Sequence, residues 1–219
     1  MIYNGFGVNN GAGVYNGAGV YNSASMYKSK SNPTQLELGG KIYPLVEING
    51  LLWTVYNLDF IYDNLNIGDP YLPNSAAAWY YQNDENTYGW NGRKYGLLYN
   101  FYAVQELEGL LPTGFRLPTN DEWLSLRNFV NNNCISLKEK NLSYAPNWGG
   151  DNALGLSILP SGARLGTGFY NSPNYGHYWS RTQYNESRAF IRTFLENGGM
   201  PDGKNTFTDA EAVRLVYPI

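Results

Sequence analysis

The spacing of apolar residues changes several times along this chain, and each change marks an element. Two apolar runs, KIYPLVEI from Lys41 and LLWTVYNL to Leu58, flank Asn49–Gly50. An Asn-Gly pair between apolar runs predicts a β-hairpin, because both residues tolerate the positive φ a tight turn needs. Gly39–Gly40 predicts another turn just before it. Residues 61–92 are rich in Asn, Asp, Tyr and Pro with no sustained period, which predicts a long surface excursion with a short helix near Ala76–Tyr80. Tyr95, Leu98, Tyr99 and Tyr102 recur at helical spacing and predict a helix over Tyr95–Gln105. A second helix has a defined start. Thr119 and Glu122 form a capping box, and Asp121 adds negative charge to the first turn. Trp123, Leu126 and Val130 then make one apolar stripe, which Asn131–Asn133 end. Short apolar strands alternating with Gly-, Asn- and Pro-rich loops fill the rest. Two helices with many short strands give an α+β class.

The N-terminal pattern differs in kind. Residues 4–27 read as four hexads: NGFGVN, NGAGVY, NGAGVY and NSASMY. In an extended strand, Asn, Ala and Val would share one face, with Gly, Gly and Tyr on the other. So much Gly, Asn and Ala cannot bury enough apolar surface to offset its own ordering entropy. By composition this is a Gly-rich tail. As a regular repeat it is an anchor, docked on a partner or wound with copies of itself, and the anchor is the reading favoured here. Glycine would permit close backbone approach. Val8, Val14, Val20 and Met26, with Tyr15 and Tyr21, would be the anchoring residues. Lys28–Gln35 is polar, contains a Pro and reads as a linker. The expected division is an anchor and linker over 1–35 and a folded domain over 36–219.

Composition narrows the chemistry. The 219 residues carry a net charge of −3 with no strong Lys/Arg cluster, which argues against nucleic-acid binding. No apolar run is long enough to span a membrane. The start, MIYNGFGVNN, has neither the charged nor the apolar region of a secretory signal, so cytoplasmic folding is expected unless a precursor segment precedes it. One cysteine, Cys134, allows no internal disulfide and reads as a small packed residue or an inert surface thiol. One Cys and one His cannot build a zinc or iron site. His177 lies between aromatics with no nucleophile motif in the chain, so it reads as structural or ligand-contacting. Adjacent Asp121 and Glu122 are explained by the helix cap, and no acid pair suggests glycoside hydrolysis. No metal, cofactor or catalytic residue is expected.

A longer order of segments carries more information than any single motif. INGLLWTVYNL (Ile48–Leu58), YGLLYNFYAV (Tyr95–Val104), LPTGFRLPTNDEWLSL (Leu111–Leu126), LGLSILPSGAR (Leu154–Arg164), YGHYWSRTQYN (Tyr175–Asn185) and AVRLV (Ala212–Val216) follow in turn. Over roughly residues 41–219 the chain resembles the major paralogous domain first described from Fibrobacter succinogenes, a branch of the C-type-lectin-like fold. The resemblance implies a C-type-lectin-like domain with two helices and short antiparallel strands, preceded by the extended repeat segment. It places Trp179 in the core. Cell-surface members commonly carry cysteines where this chain has Leu111 and Leu215, so an apolar contact would replace a covalent link, as suits a reducing cytoplasm. The Pro-Asn and Pro-Asp strings here lack the paired acid or amide of calcium-dependent sugar-binding loops, and Trp-Asn-Asp is absent.

The aromatic and amide residues of the C-terminal third form the expected binding face: Tyr170, Asn171, Asn174, Tyr175, His177, Arg181, Gln183, Tyr184 and Asn185. Tyrosine offers rigid contact area with a polar tip, and Asn offers adaptable hydrogen bonds. Phage relatives of this fold diversify equivalent loops, which implies recognition there. Anchor, lack of export signal and lectin-like head together suggest a bacteriophage virion protein, a fibre or decoration protein. Residues 1–30 would attach to capsid or tail proteins, and a trimer would display the head toward bacterial surface or mucosal glycan. Alternatives are a bacterial cell-surface adhesin and, less favoured, a lectin-like-fold enzyme.

Overall fold

The computed structural model describes residues 32–68 and 74–219. The hexads and their anchoring residues Val8, Val14, Tyr15, Val20, Tyr21 and Met26 lie outside the described residues. Residues 34–219 form one compact α+β unit.

The unit opens with β1 (Gln35–Leu38), β2 (Lys41–Ile48) and β3 (Leu51–Thr54), joined by the two predicted turns. Asn49 and Gly50 take φ of 53° and 80°, the paired positive values that the Asn-Gly signal predicts. Next come β4 (Asn66–Ile67), β5 (Ala77–Trp79), α1 (Glu85–Tyr88), β6 (Leu98–Asn100), α2 (Phe101–Glu108) and α3 (Asn120–Phe129). The C-terminal part supplies β7 (Ala163–Leu165), β8 (Gly168–Tyr170), β9 (Tyr175–Asn185), β10 (Arg188–Leu195), β11 (Asp202–Thr206), β12 (Ala210–Glu211) and β13 (Val216–Pro218).

Three sheets result among the described residues, in the orders β1-β2-β3-β13, β11-β10-β9 and β4-β5-β6-β12-β7-β8. The last strand therefore returns to pair antiparallel with the opening hairpin, Val216 opposite Trp53.

The helix at Asn120 starts as its sequence predicts. Thr119 Oγ1 accepts from Glu122 N–H at 3.1 Å, and Glu122 Oε2 accepts from Thr119 N–H at 2.8 Å. A fork from Arg116 holds the same carboxylate at 2.6 and 2.7 Å. Trp123 and Leu126 are buried on the inner face. Trp123 Nε1 donates to Trp179 O, and Trp179 Nε1 donates to Tyr99 O, so the helix, β9 and β6 are pinned through indoles. Trp179 is a core residue, as expected. Leu215 is buried in the same apolar cluster against which Leu111 packs.

Three expectations are corrected. Leu98–Asn100 is a strand, Tyr95–Leu97 is irregular with Gly96 at a φ of 68°, and the helix begins only at Phe101. Asn100 stops it running earlier: its Oδ1 caps Ala103 N–H and also accepts from Ala77 N–H in β5. The helical spacing of Tyr95, Leu98 and Tyr99 arose because this stretch is buried on every side. Ala76–Tyr80 is not helical: it contains β5 and is buried throughout. The long segment 61–92 is accordingly not only surface, since Ala76–Tyr81 enter the core; among its described residues the α-helix is Glu85–Tyr88, after a 3-10 turn at Tyr81–Asn83.

Glu211 in β12 is fully buried, with Asn205 Nδ2 donating to Oε1 and no partner for Oε2 among the described residues. Burial holds its carboxyl well above the usual carboxylate range. The native state thus keeps a proton that the unfolded chain releases above about pH 4.3. The Glu211 contribution to stability therefore falls as pH rises from there. Glu211→Gln cannot ionise and retains an acceptor for Asn205. Its stability relative to wild type in urea is expected to rise between pH 4 and pH 8; a difference constant with pH would contradict a proton held on Glu211.

Candidate functional site

The C-terminal residues singled out as a face occupy two places. His177 and Tyr184 lie seven positions apart along β9, about 23 Å of extended chain. At the near end, His177 is fixed from both sides, with Asn171 Nδ2 at 3.0 Å from Nε2 and Thr193 Oγ1 at 3.1 Å from Nδ1. Donation by Asn171 to Nε2 leaves Nδ1–H to donate to Thr193. Burial lowers the imidazole to about 4, so the ring is neutral at physiological pH. Tyr175 lies against the ring with centroids 6.2 Å apart. Tyr170, Asn171 and Asn174 are exposed around it, Tyr170 by half.

At the far end, Arg181 pairs with Glu108 of α2 at 3.0 Å, and Asn185 Oδ1 accepts from Ser187 N–H in the hairpin turn. Gln183 is exposed opposite Ala189. Tyr184 is exposed by 53%, edge-on to Phe190 and under Lys204 Nζ at 4.5 Å. Arg181 and Asn185 thus have local structural work, whereas Tyr170, Asn171, Asn174, Tyr175 and His177 form a patch.

Beneath and beside that patch runs a set of residues that motif reading did not assemble. Arg214, from AVRLV, is fully buried. Its Nε donates to Asn57 Oδ1 at 2.7 Å. Its terminal nitrogens donate to Thr54 O, Leu156 O and Ser157 O at 2.6–2.8 Å. Every one of these acceptors is a neutral oxygen. Burial pulls the guanidinium below its usual pKa, yet arginine remains charged at any physiological pH. Tyr178 completes the node. Its hydroxyl lies 3.1 Å from both Asn57 Oδ1 and Leu159 O and accepts from Leu159 N–H. Asn57 Nδ2 in turn donates to Tyr95 O at 2.8 Å.

This node sets the walls of a cavity of about 260 Å³ lined by Tyr56, Arg93, Lys94, Glu139, Tyr144 and Ser157, among others. Tyr56 neighbours Asn57, Lys94 neighbours Tyr95, and Ser157 and Leu159 carry carbonyls held by the node. The turn that presents the two cations is tight. Arg93 N–H donates to Thr87 O and Lys94 N–H to Gly89 O. Lys94 takes φ of 56°, and a Cβ on Gly92 would strike the carbonyl of Thr87. The Arg93 guanidinium lies 4.2 Å from the Tyr144 ring centroid and Lys94 Nζ 4.2 Å from that of Tyr56. Such stacking holds two long side chains in place at the rim. Burial raises the phenol of Tyr144 and pushes that of Tyr95 up to about 12, so both stay neutral donors. Tyr144 packs on Tyr95 at 6.0 Å, and Tyr95 OH meets Ser172 Oγ at 3.1 Å, which links the cavity to the loop at Asn171–Asn174.

The cavity draws on segments a hundred residues apart, so no local motif could reveal it. The one local signal was the dibasic Arg93–Lys94 pair set among Tyr88, Trp90 and Tyr95. Cys134 is buried, burial pushes its thiol up to about 11, and its Sγ lies 3.4 Å from Gly199 O, in keeping with a packed residue.

Arg214→Lys replaces a fork by a single ammonium that cannot reach all four acceptors. A loss of about 3 kcal/mol or more in urea unfolding is expected, since buried acceptors are left unpaired. A loss below about 1 kcal/mol would show that the node does not organise this region.

The family model described as the Fibrobacter succinogenes major domain matches residues 46–216. No match was found among curated proteins or solved structures.

Proposed function

The chain belongs to the Fibrobacter succinogenes major domain family, and from that membership and the geometry above we propose that it is a bacteriophage virion protein with a C-type-lectin-like binding head. In this reading residues 1–35 attach the chain to capsid or tail proteins, a trimer being the favoured form, and the head engages bacterial surface or mucosal glycan without catalysis. The observation that carries the binding role is the patch around His177. Exposed Tyr170, Asn171 and Asn174 surround a neutral imidazole that Asn171 and Thr193 hold rigidly. Rigid aromatics and adaptable amides suit weak recognition that many copies would convert to avidity. The lectin-like reading is supported by two helices, α2 and α3, placed between an opening hairpin and a strand-rich second half whose last strand returns to that hairpin. The attachment role rests on the hexad repeat.

One set of measurements tests both halves. An antibody against the head is expected to label intact virions, and the full chain to bind a subset of bacterial glycans on an array. Tyr170→Ala with Tyr175→Ala is expected to weaken that binding by about tenfold or more, given about 1 kcal/mol per lost aromatic contact. Labelling of cell envelopes with none on particles would replace the virion reading by the adhesin. Undiminished array binding by the double variant would remove the patch.

A further inference from the structure

We infer that the cavity between Tyr56 and Tyr144 is a second binding site, for a single sugar unit bearing a carboxylate, such as a uronic acid. The inference rests on the reading of this chain as a binding head but uses none of the residues of the His177 patch.

The charge is the first argument. The chain is net negative, yet Arg93 and Lys94 both line this cavity, and Arg214 lies behind the wall formed by Ser157. The Arg214 acceptors are all neutral, so its charge is not cancelled where it sits. Glu139 is the acid of the lining, and Asp84 acts on Arg93 from outside it. Three cations against two acids leave the cavity positive, and a partly enclosed site strengthens that field.

The mixture is the second argument. A bare anion such as phosphate would be attracted by the cations and repelled by Glu139. A hydroxylated carboxylate satisfies both: its carboxylate accepts from Arg93 and Lys94, and its hydroxyls donate to Glu139 and exchange hydrogen bonds with Tyr144 and Ser157. The volume of about 260 Å³ suits one ring with its substituents, below the usual range for drug-sized ligands.

Preorganisation is the third. Each cation is stacked on a tyrosine, and the strained turn at Gly92–Lys94 fixes their spacing. Side chains already ordered lose little entropy when a ligand arrives.

The test titrates the full chain with methyl glucuronide and methyl glucoside, followed by ligand-observed NMR. The glucuronide is expected to bind about tenfold or more tightly than the glucoside, and to weaken as salt rises. Arg93→Gln with Lys94→Gln is expected to erase the preference. Glu139→Gln keeps an acceptor, removes the opposing charge and is expected to strengthen glucuronide binding by about two- to fivefold, an effect misfolding cannot mimic. Equal binding of both sugars, absence of glucuronide binding, or a preference that survives the Arg93/Lys94 change overturns the site. Tighter binding of glycine or inorganic phosphate than of glucuronide overturns the ligand class. If glycan-array binding persists and depends on Tyr170 and Tyr175 alone, the binding head stands and only this cavity fails.

Discussion

A single buried guanidinium holds together segments that the chain separates widely. Arg214 ties the end of β3 at Thr54, the loop at Asn57 and the loop at Leu156–Ser157, while Tyr178 of β9 joins through Asn57 and Leu159. Backbone bonds continue the seam: Thr54 N–H to Leu215 O, Leu58 N–H to Val213 O, and Leu97 N–H to Leu58 O. An unpaired charge inside a protein is costly, and a fork satisfied by several fixed oxygens is the arrangement that makes it tolerable. The same loops lack regular strand partners over much of 139–162, so without these donors their carbonyls would be buried without partners.

Rigidity of the surface follows from this interior. The cavity walls are immediate neighbours of node residues, and the tyrosines that line or underlie it pack in a continuous series from Tyr144 through Tyr95 to the loop at Ser172. Displacing Asn57 would therefore move Tyr56 and the carbonyl of Tyr95 together. The proposed binding surfaces sit on loops and the strand ends beside them, fastened from beneath. The net charge is small, and its uneven distribution rather than its total distinguishes the cavity from the rest of the surface.

Much of this was legible in the sequence where local chemistry decides the outcome. Asn49–Gly50 and the Thr119–Glu122 box name their own conformations, and the motif order named the family. Legibility failed where burial on all sides erases periodicity. Tyr95–Tyr99 look helical because each large residue is interior, and Asn100, whose side chain caps the helix, was the residue that located its true start. Ala76–Tyr80 gave the same error, being built around the short strand β5 with every side chain covered. The Arg214 node escaped detection because arginine before leucine and valine at a chain end reads as a strand with one polar face. Its partners lie more than fifty residues away.

Native-state hydrogen exchange measures whether this interior is the keystone. The amides of Leu58, Leu97, Leu159 and Leu215 surround the node and bond to Val213 O, Leu58 O, Tyr178 OH and Thr54 Oγ1. If the node organises the fold, all four exchange only through global unfolding, with the same free energy as urea denaturation and the same sensitivity to denaturant. Exchange of these amides through local openings several kcal/mol below the global value, while β9 and β10 remain protected, would contradict it.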